Sequence, residues 1–203
     1  AANEAGARAV FAAAKVGVPE TDLAVAYHAA IAAAGAQPHH LSIGCGRRHG
    51  FPNGEPTNYR LRAGDVIRFD ADCVVQWYFS DIARNAVVGE PSAKLRACHA
   101  GVLAGLQAAA AAMRPGVKAA EVFRAGVEAA RKNGIPHYER HHIGHAIGCV
   151  CYDDPLIGPA DQTILASPSL TADGRVVVAS ARSAATDPRI IAITLADKKE
   201  RRL

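Results

Sequence analysis

Asp70 and Asp81 stand eleven residues apart in "DVIRFDADCVVQWYFSDIARNAVVG", with Asp72 between them. Asp70 closes an apolar, strand-like run. If residues 66–72 and 79–85 pair antiparallel, Asp70 and Asp81 come opposite each other on one face. Carboxylates about 5 Å apart across strands repel each other unless a proton or cation sits between them. A divalent cation is the usual solution. The alternative is a set of ordinary strand-end aspartates, with Asp72 the solvent-facing member of an alternating strand. The intervening "VVQW" lacks the Asn or Gly that a tight hairpin favours.

A second cluster lies in "RHHIGHAIG", residues 140–148, where His141, His142 and His145 fall within five positions. Imidazole is the commonest protein metal ligand and titrates near neutrality, so such a cluster admits metal binding, acid–base work or a merely polar strand.

The 203 residues suffice for one substantial core, and a single domain over residues 1–203 is expected. Half the residues are hydrophobic. The excess is mostly alanine, which favours helices and buries little area per residue. Residues 1–166 carry a net charge of +1 and residues 167–203 a net charge of +3. A body so near neutrality gives no reason to expect nucleic acid or a membrane surface as partner. The five cysteines are odd in number and lack paired CxxC spacing, which points to reduced thiols in a cytoplasm. The chain opens on an already helical stretch, so an N-terminal domain is expected to be missing from it.

Elements that could position these side chains emerge from an internal repeat. Residues 5–35 laid over 104–134 match Gly6, Gly17, Val18 and Gly35 with Gly105, Gly116, Val117 and Gly134. Each copy reads as helix, glycine break, helix, glycine stop. Thr21 is the expected N-cap of the second helix, with Asp22 in its first turn. Leu23, Tyr27, Ala30 and Ile31 keep helical spacing, as do Val122, Phe123, Val127 and Ala130. The runs "HHLSIGC", "DVIRFDADCVV", "QWYFSDIARNAVV" and "HHIGHAIGCVCY" read as strands. The expected class is α+β, two pseudo-symmetric halves with helices over one face of a mainly antiparallel sheet. A site belongs on the face that the helices leave open.

In this order and spacing, "LRAGDVIRFDADCVVQWYFSDIARNAVVG", "GHAIG" and "YDDPLI" resemble the signature of the pita-bread metallopeptidase superfamily. That group includes methionine aminopeptidases, Xaa-Pro aminopeptidases, prolidases and creatinase. The likeness runs from about residue 5 to about residue 165 and is nearest the Xaa-Pro aminopeptidase and prolidase branch. It implies the pita-bread fold and hydrolysis of an amide bond near a peptide N-terminus. It also implies a divalent metal (Mn, Co or Zn) with Asp70, Asp81 and His145 as ligands. His49, in "GCGRRHGFPNG", resembles the histidine that contacts substrate. Tyr152 stands where many relatives have a second histidine, and its phenol can donate to a developing oxyanion.

Two glutamate ligands of that family are missing from residues 166–203, where the composition turns to Ser, Ala and Arg. Ser180 is nearest the first position, and Ile191 or Ala192 stands at the second. Two aspartates and one imidazole leave about +2 of uncompensated charge on two dications, so one ion is expected rather than two. Three readings therefore remain open: a metal-dependent hydrolase, a metal-independent creatinase-like C–N hydrolase, and a non-catalytic peptide-binding protein. The loss of both ligands has three open explanations: a divergent metal-free relative comparable to creatinase, a binding module that lost catalysis, or an abnormal reading frame or boundary past residue 165. A homodimer is compatible with each reading.

Overall fold

The computed structural model describes residues 1–160, and beyond them the backbone of four strands within 164–202; side chains are described for residues 1–160 except Asp154. The elements in chain order are α1 (Ala2–Ala13), α2 (Glu20–Ala33), β1 (Gln37–Cys45), a 3-10 turn (Gly46–Gly50), β2 (Val66–Val75) and β3 (Tyr78–Val87). There follow α3 (Ala93–Ala112), α4 (Ala119–Lys132), β4 (His145–Ala146), β5 (Asp153–Leu156), β6 (Ile164–Leu170), β7 (Val176–Arg182), β8 (Ile191–Thr194) and β9 (Lys199–Arg202). All described strand pairs are antiparallel, and the class is α+β. The strands form three sheets, β1-β2-β3, β4-β5 and β6-β7-β8-β9. No helix among the described residues is long and apolar enough to cross a membrane.

The chain divides into two compact units. The first comprises Ala1–Ala93 with Ile147–Tyr152, the second Lys94–Ala146 with Asp153–Leu203.

In the first unit the alternation of β2 sends Ile67, Phe69, Ala71 and Cys73 into a core with Leu23, Tyr27 and Ile31 of α2. Phe69 meets Phe11 and Tyr27 edge-on, at ring separations of 6.0 and 5.5 Å. Asn3 of α1 is buried and donates to the carbonyls of Ala71 and Ser80 at 2.7 and 2.9 Å, tying the helix to β2 and β3. The other face of β2 carries Arg68, Asp70 and Asp72.

The second unit has a smaller core of Ala109, Val117, Ala119, Val122 and Ile157, with Phe123 and Ile143 packed against it. Small side chains let α3 and α4 approach closely. A Cβ added at Gly105 would come within 2.8 Å of the Gly126 carbonyl oxygen and 3.1 Å of Ala130 Cβ.

The repeat is real at the level of contacts. A Cβ at Gly6 would strike Tyr27 and Ile31, and the same offset carries that trio onto Gly105, Gly126 and Ala130. The matched pairs Gly17/Gly116 and Gly35/Gly134 all have positive φ, between 75 and 99°.

Three local expectations need correction. Helix α2 starts one residue before Thr21, with Pro19 at the N-cap, and Thr21 donates its N–H to the Thr57 carbonyl instead of capping. Pro19 lacks an N–H and so suits a helix start. The run "HHIGHAIGCVCY" yields only the two-residue β4, since the rest is bends and turns. The poor hairpin sequence still turns, with Gln76 and Trp77 both forced to positive φ (50 and 71°).

Candidate metal centre

The β2–β3 register pairs Asp72 with Asp81 and Asp70 with Ala83. Asp70 and Asp81 are therefore diagonal neighbours, two positions out of the direct opposition expected from the sequence. Strand alternation still places Asp70, Asp72 and Asp81 on one face, the face away from the helix-packed core. Asp72 is buried at 7 % exposure, which removes the alternative in which it is the solvent-facing member of the strand.

Three carboxylates on one face demand compensation. Arg68, on the same strand and face, donates to Asp70 Oδ2 at 2.6 Å and to Ser42 Oγ at 3.0 Å. Ser42 lies opposite Asp70 on β1 and is itself buried. Asp72 has two further neighbours. His39 Nδ1 lies 3.3 Å from its Oδ2, and the Cys151 thiol donates to the same oxygen at 2.9 Å. Burial pushes the Cys151 thiol up to about 12, helped by its hydrogen bond to Asp72 and by the charges of Asp72, Asp81 and Asp70.

His39 reaches this place through an irregularity. The β1–β2 register shifts between Pro38 and His40, leaving His39 as the extra residue of a bulge beside Asp72. The segment Ile147–Tyr152 is held by a bond from the Phe79 N–H to the Gly148 carbonyl, which brings Cys151 to the sheet. Sequence reasoning missed His39 and Cys151. They lie 33 and 79 positions from Asp72, and no local spacing links them.

His49 sits in the 3-10 turn, exposed, with Nδ1 against the Gly46 carbonyl. Tyr152 is 56 % exposed at the end of the first unit's returning segment. In the second unit, His145 Nδ1 lies 2.9 Å from the Ala146 carbonyl, to which an Nδ1–H donates. His141 and His142 meet each other Nδ1 to Nδ1 at 3.0 Å. His142 titrates below the usual histidine range, first through burial and then through the positive charges of His141, Arg140 and His145. A cavity of about 260 Å³ in the same unit is lined by Phe123, Arg124, Glu128 and Arg131 among others, and by none of the candidate residues.

The carboxylate oxygens of Asp70 and Asp81, on one sheet face of the first unit, are the hard donors that a divalent cation takes, so the residues present fit that group. The sequence positions assigned to the missing glutamates, Ser180, Ile191 and Ala192, lie on β7 and β8. Their backbones pair with Ala166, Ala179 and Val178, and their side chains are outside the described residues.

Comparison with known proteins gives a consistent result. The profile of metallopeptidase family M24 matches residues 1–176. The Xaa-Pro dipeptidase of Pyrococcus furiosus is 32 % identical over 123 residues, covering 61 % of this chain and 35 % of that protein. A methionine aminopeptidase of Chlamydia pneumoniae is 30 % identical over 110 residues, covering 54 % of this chain and 36 % of that one. Among solved structures, the prolidase from Pyrococcus furiosus superposes with a TM-score of 0.75 at 25 % identity, over 97 % of this chain and 58 % of that one. The Xaa-Pro dipeptidase from Bacillus anthracis gives 0.76 at 21 % identity, over 99 % and 57 %. The chain thus spans about a third of the length of the curated relatives it matches.

Proposed function

Since the chain belongs to metallopeptidase family M24, we propose that it is the catalytic-type portion of a hydrolase that cleaves an amide bond near a peptide N-terminus, with Xaa-Pro peptides as substrates. The observation that carries this reading is the placement of Asp70 and Asp81 on one sheet face, within a chain whose family profile covers both.

In this reading Asp70, Asp81 and His145 hold one Mn, Co or Zn ion, and the two units serve as one domain. When bound, the cation lowers the pKa of a water and polarises the scissile carbonyl. Arg68 orients the Asp70 carboxylate through their 2.6 Å bond. The carbonyl of Ala146 orients His145. Tyr152 donates its phenolic proton in a hydrogen bond to the developing oxyanion, and His49 moves a proton to the leaving amine. The compartment proposed is the cytoplasm, in keeping with the free cysteines.

The absence of glutamate at both expected positions favours a second reading, a protein that binds peptides without cleaving them. Metal analysis of the purified chain, paired with Xaa-Pro dipeptide turnover before and after addition of Mn(II), separates the two. One ion bound through Asp70, Asp81 and His145, lost in Asp81→Asn, and metal-dependent turnover are expected. Asp81→Asn should lower turnover by more than roughly 100-fold, beyond the loss caused by altering outer-shell partners of a metal. Peptide binding without turnover at saturating metal would replace the first reading by the second.

A further inference from the structure

We propose that His39, Asp72 and Cys151 form a separate binding site for one zinc-type cation, on the same unit as Asp70 and Asp81 but with a different donor set. A ring nitrogen of His39, a carboxylate oxygen of Asp72 and Sγ of Cys151 all lie within 4.8 Å of one another. Around tetrahedral zinc, with Zn–N near 2.0 Å and Zn–S near 2.3 Å, neighbouring donors stand roughly 3.3–3.7 Å apart. The His39–Asp72 separation of 3.3 Å already fits, and the Cys151–Asp72 separation of 2.9 Å needs to open by only a few tenths of an ångström.

The donor chemistry selects the ion. One sulfur and one imidazole disfavour Mg²⁺ and Ca²⁺, which take oxygen ligands, and favour Zn²⁺ or Co²⁺. Charge agrees as well. On binding, the Cys151 thiol gives its proton to solvent, and thiolate plus carboxylate neutralise a dication beside a buried Asp72. The same ion would relieve the repulsion between Asp72 and Asp81, which face each other across the ladder. The His39 side chain is 48 % exposed, so a cation can reach the donors from solvent on its side. Bound metal would join three parts of the unit: the bulge of β1, the middle of β2 and the returning segment 147–152.

Sulfur provides a readout that the Asp70, Asp81 and His145 ligand set lacks. The chelator-stripped whole chain is titrated with Co(II) and followed in the near ultraviolet, where thiolate-to-cobalt charge transfer absorbs. The expected result is a band whose full amplitude corresponds to one thiolate-bound Co(II) per chain and that disappears on adding excess Zn(II). The band is lost in Cys151→Ala and in the near-isosteric Cys151→Ser, while His39→Ala weakens Co(II) binding by at least tenfold. It survives in Cys149→Ala and in His145→Ala, the latter removing a ligand of the first site. Far-ultraviolet circular dichroism checks the fold of each variant. Absence of the band, its persistence in both Cys151 variants, or its loss in Cys149→Ala would overturn the proposal.

Discussion

Glu20 shows how much of this fold rests on one buried charge. Its side chain is fully buried at the start of α2, where it accepts from the Cys45 N–H at 2.8 Å, the Thr57 N–H at 2.9 Å, the Thr57 hydroxyl at 2.8 Å and Arg48 Nε at 3.2 Å. Removing it leaves the Cys45 and Thr57 donors without this acceptor and Arg48 with its remaining bond to the Glu55 carbonyl. Glu20→Ala is therefore expected to cost about 3–5 kcal/mol, the usual price of breaking a buried pair, and urea denaturation measures it. Glu20→Gln keeps one acceptor oxygen and should cost less. Nothing in the sequence marks this residue, because its partners lie 25 to 37 positions away. Asp70 and Asp81 were legible for the opposite reason: both fall on one hairpin, where local spacing reports spatial proximity. His39 and Cys151 were not, since a bulge and a returning segment bring them to Asp72.

At the scale of elements, the hairpin joining β2 and β3 forms despite its turn residues. Val75 pairs with Tyr78, so Gln76 and Trp77 make a two-residue connection with both residues at positive φ. A left-handed conformation costs a non-glycine residue roughly 1–2 kcal/mol. Trp77 is 85 % exposed, so replacing it sacrifices little packing. Gln76→Asn combined with Trp77→Gly should raise stability by about 1–2 kcal/mol, seen as a higher urea midpoint at unchanged slope. The sequence pointed to poor turn chemistry and was correct about the chemistry. Ten-residue strands on either side outweigh it. Strand character in "HHIGHAIGCVCY" was overestimated, because apolar and β-branched residues spaced by glycines satisfy a strand pattern without the partner strand that a ladder needs.

For the whole molecule, the duplication is the feature best read in advance, and glycine explains why. Alanine matches between helices carry little information, whereas Gly6 and Gly105 each sit where a neighbouring helix leaves no room for a methyl group. At Gly6 the obstacle is the Tyr27 ring, held by hydrogen bonds to Asn3 and to the Asp72 carbonyl. At Gly105 it is the backbone of α4. Gly6→Ala and Gly105→Ala should each destabilise by about 1–3 kcal/mol, the usual cost of overpacking. Because the two glycines pack within different units and share no partner, the double variant should equal the sum of the singles within about 0.5 kcal/mol. A thermal or chemical denaturation series over the four chains tests this.

The unit that holds Asp72 is discontinuous, since Ile147–Tyr152 belongs to it while residues 94–146 do not. During translation the ribosome must therefore deliver the whole intervening stretch before the N-terminal half receives its last strip of backbone. At roughly 5–20 residues per second, the outer edge of β3 waits several seconds for the carbonyl of Gly148. Until then the nascent chain exposes the outer edge of β3, the interval in which a holding chaperone would protect it most.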